Sequence, residues 1–182
     1  MRNIAIDFDP SRNDRGVRSK PQAGEPFAAK LAAPFAILGI RTGGTKLVGI
    51  EYLPRNESEL APVDAVAERA CRQLERYFAD PQFRFTLPLA PEGTPFRLRV
   101  WDALATIPVG ESRTYGEIAR RLATAPRAVG GACGANRIAL VIPCHRVVAS
   151  QGSLGGFMGV VEGRPIDIKR WLLKHEGYRF GQ

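Results

Sequence analysis

A short stretch rich in proline and glycine, residues 89–95 (LAPEGTP), divides the sequence into two halves with different hydrophobic patterns. Such a composition is typical of a linker at a domain boundary. We therefore expect an α+β chain in three parts: a loosely ordered N-terminal arm, a small α/β domain and a mainly helical C-terminal domain. Their predicted limits are residues 1–33, 34–90 and 91–182.

The first half carries strand and helix patterns in turn. Residues 35–41 and 46–52 read as two strands around a glycine turn. From Val63 onward, apolar residues follow at helical spacing, and residues 83–89 then alternate as in a further strand. Cys71 falls on the predicted helix among apolar neighbours, which indicates a core residue. The apolar positions that define the helix are Val66, Ala70, Leu74 and Phe78.

The second half carries the signals of several helices. Pro95 is suited to the first turn of a helix that ends before Pro108. The run from Thr114 to Glu117 has the spacing of a capping box, which predicts a helix beginning at Tyr115. Pro126 can open the next helix after a brief turn. Two short helices in this order predict a helix-turn-helix.

The second of these helices is made largely of small residues, among them Ala128, Gly130 and Gly131. A face without bulk allows another backbone to come close, and both protein packing and a nucleic-acid strand would fit. Arg127 at the start of the helix favours nucleic acid. So does the charge of the chain, because 26 basic residues against 18 acidic ones give a net charge of +8.

The small number of cysteine and histidine residues argues against a metal site. Three cysteines, of which Cys133 is expected to pack in the core, and two histidines form no close metal-like pair, so we expect neither a metal nor a cofactor. An odd number of cysteines, with no secretory leader or transmembrane stretch, favours a cytoplasmic protein with reduced thiols.

A cysteine beside a histidine, Cys144 and His145, follows a short apolar run. Residues 138–142 are expected to form a strand-like segment that leads into a turn stiffened by Pro143. Because the thiolate is the nucleophile, a nearby base must activate the cysteine, and His145 is the candidate. Cysteine hydrolases use the same pair of residue types, so this pair alone leaves the reaction open.

The surrounding residues resemble the methylated-DNA–protein-cysteine methyltransferases, also called O6-alkylguanine-DNA alkyltransferases. The resemblance covers residues 95–177. The matching segments are Pro95-Phe96 with Val100-Trp101, Ile107-Pro108, Thr114–Glu117, Arg127–Gly131, Asn136, Ile142–Val147, Gly152 and Trp171–Glu176. The Pro-Cys-His-Arg-Val core with Asn136 before it is the most specific of them.

The resemblance implies a role for each residue near Cys144. Cys144 would be the alkyl acceptor, His145 the base that takes its proton through a water, and Glu176 the group that orients His145. Tyr115 would contact the guanine ring and donate a proton to it as the alkyl bond breaks. Asn136 would brace the turns beside the cysteine. The product would be a thioether, so each molecule would repair one lesion.

The resemblance also implies how double-stranded DNA is bound. O6-alkylguanine, and O4-alkylthymine with it, would be flipped out of the duplex, and Arg127 would fill the vacated stack. The helix-turn-helix would enter the minor groove through Ala128, Gly130 and Gly131, with Thr114 and Tyr115 also at the DNA. The first domain would be ribonuclease H-like. We expect a monomer, with cooperative binding to DNA left open.

Five residues are expected to form the guanine pocket: Val147, Val148, Phe157, Met158 and Gly159. Two rival interpretations keep the helix-turn-helix and drop the chemistry: a lesion-binding relative and a DNA-binding regulator. Cys144 argues against the first, because such relatives lack the acceptor cysteine. No sensor or effector domain is visible to support the second.

Overall fold

The structure is a computed structural model that describes residues 26–150 and 153–179. It confirms the α+β class. Within the described ranges, no helix has both the length and the apolar composition needed to cross a bilayer. The elements, in chain order, are β1 (Ala29–Ala32), β2 (Ile37–Gly43), β3 (Lys46–Leu53), α1 (Ala65–Ala79), α2 (Pro95–Ala105), β4 (Arg113–Thr114), α3 (Tyr115–Arg121), α4 (Pro126–Gly134), a 3₁₀ helix (Cys144–Arg146), β5 (Val147–Val148) and α5 (Arg164–His175).

The N-terminal half is an antiparallel sheet of order β1-β2-β3 with α1 packed against all three strands. Asp64 caps α1 by accepting from Ala67 N, and Thr42 at the end of β2 donates to the same carboxylate. The predicted helix is therefore present. Its buried face, however, is rotated slightly from the predicted one and consists of Ala67, Ala70, Cys71, Gln73, Leu74 and Tyr77.

The predicted end of the arm at residue 33 is wrong, because β1 lies inside that range. Ala29 pairs with Ile40, and Lys30 also exchanges backbone hydrogen bonds with Leu60. Strand pairing, rather than the weak strand propensity of an alanine-rich segment, orders these residues. The rest of the predicted arm, residues 1–25, lies outside the described residues.

Residues 83–89 do not form the predicted strand. Their side chains nevertheless alternate between more buried and more exposed positions, as predicted. Phe85, Leu87 and Leu89 are buried, but only Leu89 forms a bridge, with Leu47. Thr86 N is instead bound by the Gln73 side chain, and Pro88 has no N–H to donate. The segment is therefore extended without a ladder.

The helices of the second half begin where their sequence signals lie. Thr94 caps α2, and Pro95 occupies its first turn. Thr114 and Glu117 form both hydrogen bonds of the capping box at the start of α3. Pro126 opens α4, which packs against α3, so two short helices lie in contact where the helix-turn-helix was predicted.

One feature joins the two halves, and a second brings distant parts of the second half together at the candidate site. One hydrophobic cluster runs from the N-terminal sheet through α1 to α5, so the linker does not separate two independent cores. In addition, β4 and β5 pair in parallel, with Thr114 opposite Val148. This ladder places the start of the helix-turn-helix directly beside the segment that follows Cys144.

Candidate active site

The segment before Cys144 is a buried turn, so the prediction of a strand-like run over residues 138–142 is wrong. Ile142 N donates to Ile138 O (2.9 Å), and Leu140 adopts a φ of 82°. Asn136 closes the turn from outside: its Nδ2 donates to Ile142 O and its Oδ1 accepts from Ile138 N. Backbone groups that a strand would pair with a neighbour are thus satisfied locally. Asn136 has the bracing contacts expected of it.

Cys144 opens the 3₁₀ helix and is only 3% exposed. Burial raises the pKa of its thiol, since desolvation penalises the thiolate, while a hydrogen bond from Asn136 and the charge of Lys169 act in the opposite direction. At neutral pH the resting cysteine is therefore a thiol. A base must take its proton before it can attack.

His145 is completely buried next to this thiol, and its Nε2 lies 3.0 Å from Glu176 Oε1. An ionised carboxylate only accepts hydrogen bonds, so we assign the ring proton to Nε2. Burial lowers the pKa of His145 despite the nearby carboxylate, which makes the imidazole neutral at physiological pH. Nδ1 then carries a lone pair, and it has no hydrogen-bond partner. The histidine is ready to accept a proton there.

Glu176 follows the last residue of α5 and is buried, in contact with two further groups that sequence reasoning did not assign. Arg146 Nε donates to Oε2 (2.8 Å) and its second terminal nitrogen to Oε1 (2.9 Å). Tyr77 on α1 donates to Oε1 (2.8 Å). Burial alone would raise the pKa of Glu176, but His145 and Arg146 hold it well below its ordinary value. The carboxylate stays charged, and Arg146, rather than a protonated His145, is its cationic partner.

Lys169 is a third residue that sequence reasoning missed, and it is fully buried on α5. Its Nζ donates to the carbonyls of Val147 (2.6 Å), Leu154 (2.6 Å) and Gly156 (2.9 Å). Desolvation lowers the pKa of Lys169 to about 8. A signal was present in the sequence, because a lysine stands at helical spacing among the buried apolar residues of α5, which are Ile166, Leu172 and Leu173.

Tyr115 lies at the start of α3, half-buried, with its ring 5.7 Å from Lys169 Nζ. Its hydroxyl donates to Gly156 O (3.0 Å). A side chain at Gly155 would come within 2.9 Å of this ring, so glycine is required for the approach. Burial raises the pKa of Tyr115, which keeps its hydroxyl protonated. The hydroxyl of Tyr115 therefore keeps a proton that it can donate.

The exposed surface of the helix-turn-helix matches the predicted DNA-binding face in placement. Arg127 is exposed in the first turn of α4, Gly131 is exposed on the same helix, and Ala128 and Gly130 are half-buried. A side chain added at Gly131 would meet nothing within 4 Å, so this face is open. Thr114 caps α3, and its hydroxyl is occupied by the Glu117 backbone and side chain.

The residues predicted to form the pocket divide into two groups. Val147, Val148 and Phe157 are buried, with the Val147 carbonyl held by Lys169 and Val148 paired with Thr114. Met158 and Gly159 are exposed at the tip of a tight turn, where both have positive φ values of 53° and 84°. Met158 therefore does not enter the buried part of the site.

The sequence also predicted reduced thiols and no metal site. The structure bears on these predictions over residues 26–150 and 153–179. Cys71, Cys133 and Cys144 are all free and buried. No group of three or more His, Cys, Asp or Glu side chains is arranged there to hold a metal ion. Gly152, which is part of the resemblance, lies outside the described ranges.

The second half of the chain matches a known family, and longer stretches of the chain are similar to individual known proteins. The family model described as 6-O-methylguanine DNA methyltransferase, DNA binding domain, matches residues 95–178. The chain is 51% identical over 150 residues to the methylated-DNA–protein-cysteine methyltransferase of Methanosarcina barkeri, an alignment that covers 79% of this chain and 90% of that protein. Among solved structures, Mycobacterium tuberculosis OGT in complex with DNA has a TM-score of 0.69 at 39% identity, covering 81% of this chain and 90% of that one. An O6-methylguanine DNA methyltransferase from Methanococcus jannaschii has a TM-score of 0.60 at 32% identity, covering 84% and 95%.

Proposed function

This chain belongs to the 6-O-methylguanine DNA methyltransferase family, and we propose that Cys144 is its alkyl acceptor. The protein repairs DNA by transferring an alkyl group from the damaged base to one of its own cysteines. One observation supports Cys144 most directly: the residue that follows this buried thiol is a neutral histidine whose Nε2 is held by Glu176 and whose Nδ1 has no hydrogen-bond partner among the described residues. Cys71 and Cys133 have no such arrangement of base and carboxylate.

The proposed reaction moves two protons and one alkyl group, and afterwards the His145 imidazolium releases its proton to solvent while Tyr115 regains one from solvent. His145 Nδ1 takes the Cys144 proton through a water, and the thiolate attacks the alkyl carbon bound to O6 of guanine. The S–C bond forms as the C–O bond breaks, and the electron pair stays with the base. Tyr115, whose hydroxyl donates to Gly156 O in the resting site, protonates the ring. A thioether has no easy hydrolytic exit, so each molecule acts once.

The electrostatics of the site fit this sequence of steps. Glu176 fixes the tautomer of His145 and stabilises the imidazolium that forms, as a carboxylate does in other acid–base pairs. Burial lowers the pKa of His145, and the charge of Arg146, which is paired with Glu176, lowers it further, so the imidazole is neutral and can accept a proton. Lys169 offsets the thiolate charge and fixes the loop over residues 154–156. The protein itself supplies every group that the transfer needs.

DNA is the partner, and we propose that the bound form is duplex DNA containing O6-alkylguanine, with O4-alkylthymine as a second substrate. The damaged base would be flipped into the site and Arg127 would fill its place in the stack, since the target oxygen is hidden inside the helix. The open face of α4 supports close approach to the minor groove. We further propose a cytoplasmic monomer whose strand–strand–strand–helix N-terminal unit is ribonuclease H-like, a proposal that its free cysteines and element order support.

The assignment of Cys144 is tested by intact-protein mass spectrometry and peptide mapping after mixing the chain with duplex DNA that carries one O6-methylguanine. We expect one added methyl group, located on the peptide that contains Cys144, with an equal loss of the lesion. A methyl group on the peptide of Cys71 or Cys133 would contradict the assignment. Tight binding without any gain in mass would make the protein a lesion-binding module.

The proposed role of Arg127 predicts a difference between two substrates. Arg127→Ala should slow repair of duplex DNA by about tenfold or more, because filling the stack offsets the cost of extruding the base. Dealkylation of free O6-benzylguanine, which needs no extrusion, should keep its wild-type rate. Arg72→Ala removes one exposed positive charge from α1, far from the helix-turn-helix, and serves as the control. Equal slowing on both substrates would argue against the role.

A further inference from the structure

One carboxylate oxygen of the candidate active site accepts three hydrogen bonds. Glu176 Oε1 accepts from His145 Nε2 (3.0 Å) and from the Tyr77 hydroxyl (2.8 Å). Arg146 donates to both oxygens, from a terminal nitrogen to Oε1 (2.9 Å) and from Nε to Oε2 (2.8 Å). An ionised carboxylate has about four lone-pair sites, so these bonds use its capacity. His145 and Tyr77 therefore share one oxygen.

Tyr77 reaches this oxygen from the N-terminal half of the chain. It lies in the last turn of α1, is 1% exposed and is separated from Glu176 by 99 residues. His145 and Arg146, by contrast, belong to the 3₁₀ helix that begins with Cys144. One donor to the carboxylate thus depends on how α1 packs against the second half.

A second hydrogen bond, in the opposite direction, fixes Tyr77 to the end of α5. His175 Nε2 lies 2.8 Å from the Tyr77 carbonyl oxygen, and because a carbonyl only accepts, the histidine nitrogen donates. The two rings meet edge to face with their centroids 5.2 Å apart, and His175 also stacks on Trp171 at 4.7 Å. Tyr77 therefore binds two consecutive residues, His175 and Glu176.

Packing explains the ring of Tyr77 but not its hydroxyl group. The ring also contacts Phe78 and Phe85, with centroids 5.7 and 5.4 Å away, and phenylalanine would retain these contacts. Charge balance does not explain the hydroxyl either, because Arg146 already pairs with both oxygens of Glu176. The additional donor is directed at the oxygen that holds the proposed base.

We propose that Tyr77 is a positioning residue for alkyl transfer: by donating to Oε1, its hydroxyl sets how strongly Glu176 holds the Nε2–H group of His145. This inference rests on the proposed function of Cys144 and His145. Tyr77 gives up no proton in the step, because the Cys144 proton still goes to His145 Nδ1. The basicity of the proposed base then depends on the docking of α1 against α5.

The direction of the effect follows from the charge on Oε1. Glu176 stabilises the imidazolium form and so raises the pKa of His145, against the larger effect of burial. A hydroxyl that donates to the same oxygen draws part of that charge to itself and weakens this stabilisation. Burial, and then the charge of Glu176, raise the pKa of Tyr77 well above its ordinary value, so it stays a donor. Tyr77 thereby helps to keep His145 neutral.

The titratable and charged groups around this contact lie on four elements. They are Cys144, His145 and Arg146 on the 3₁₀ helix, Lys169 and His175 on α5 with Glu176 at its end, Tyr77 on α1 and Tyr52 on β3. Tyr77→Phe changes none of their charges, since residue 77 is neutral before and after the substitution. A change in the pKa of His145 would therefore report the lost hydrogen bond.

The test is the titration of His145 in Tyr77→Phe, followed by NMR of the full-length protein with 15N in its histidine rings. The chain has two histidines, so the ring signals are few. We expect the midpoint of His145 to lie about one pH unit higher than in the wild type, a tenfold change in proton affinity. Equal midpoints would overturn the proposal even if Tyr77→Phe were less stable, because a purely structural hydroxyl would change stability alone.

Two further variants separate this contact from general effects. Tyr52→Phe removes another buried hydroxyl from the N-terminal half, one with no hydrogen-bond partner among the described residues, and should keep the wild-type midpoint. In Glu176→Gln the side chain has no charge to share, so adding Tyr77→Phe should leave the midpoint of that variant unchanged. A rise of about one unit in Tyr52→Phe or on adding Tyr77→Phe to Glu176→Gln would overturn the proposal.

Failure of this proposal is distinguishable from failure of the proposed function. The titration of His145 needs neither DNA nor a damaged base, so its result does not depend on repair. Transfer of a methyl group to wild-type Cys144 together with equal midpoints would reject only the role of Tyr77. Absence of methyl transfer to Cys144 would reject the assignment of the acceptor, on which the role of Tyr77 in transfer depends.

Discussion

The Cys144→Ser variant is expected to lose all detectable alkyl transfer while it still binds duplex DNA. A serine hydroxyl is far less acidic than a thiol, and in a buried site His145 cannot generate the alkoxide that transfer would require. Binding should survive because Cys144 is only 3% exposed, so the substitution leaves the surface of the protein almost unchanged. Loss of O6-methylguanine from the DNA and gain of mass by the protein measure the two sides of the reaction.

Controls for this prediction come from the other two cysteines. Cys71 lies on α1, and burial raises its pKa to about 11, so it stays a thiol. Cys71→Ala and Cys133→Ala should each accept one methyl group per molecule, as the wild type does. Stoichiometric transfer by Cys144→Ser would overturn the assignment, and its loss in Cys133→Ala alone would move the acceptor to α4.

Replacing Glu176 with glutamine is expected to destabilise the fold by about 3 kcal/mol or more. The change leaves the buried guanidinium of Arg146 without its counter-charge, and breaking a buried pair from one side costs about 3–5 kcal/mol. Asp167→Asn is the matched control on the same helix: its pair with Arg170 is exposed and should contribute less than about 1 kcal/mol. Urea unfolding of the three proteins gives both differences. Equal stability of Glu176→Gln and the wild type would contradict the role of the ion pair.

The same variant should slow transfer by roughly a hundredfold, the scale seen when the group that orients a catalytic histidine is lost. Glutamine can both donate and accept, so it no longer forces the His145 proton onto Nε2. It also cannot stabilise the imidazolium. Single-turnover rates with free O6-benzylguanine measure this effect apart from DNA binding. A wild-type rate at full folding would remove Glu176 from the mechanism.

The stability difference should also depend on pH with a definite sign. The pKa of Glu176 is depressed in the folded state, so its contribution is complete above its unfolded pKa of about 4.3 and is lost as the pH falls toward the folded pKa. The wild type should therefore lose stability on acidification more steeply than Glu176→Gln, and the two should approach each other at low pH. A difference that stays constant across this range would contradict the depressed pKa.

Local signals in the sequence were sufficient to predict where the helices of the second half begin. Pro126, Thr114 and Glu117 act within one helical turn of their own positions, so α3 and α4 begin where the sequence predicted two short helices. The pairing of Cys144 with His145 and Glu176 was also predicted, through resemblance to the family. Their contact, His145 to Glu176 at 3.0 Å, agrees with it.

The hydrogen-bond partners of the backbone decided whether two segments form strands, which the pattern of apolar residues could not predict. Residues 138–142 and 83–89 have strand-like sequences, yet Asn136 and Gln73 satisfy backbone groups that a strand would have paired. Periodicity reports which side chains are buried. It does not report which partner each backbone group finds.

The sequence by itself determined where the helices of the second half begin, because those signals lie in neighbouring residues, and it predicted Cys144 and His145 as nucleophile and base through resemblance to the family. Only the tertiary structure decided how the acceptor site is tuned. Tyr77 reaches it from the N-terminal half, and Lys169, which the sequence places among the apolar residues of α5, is a buried cation. Tyr77 meets Glu176 across 99 residues of chain. Such contacts follow from how the sheet, α1 and α5 pack around one core, and no local spacing encodes that packing.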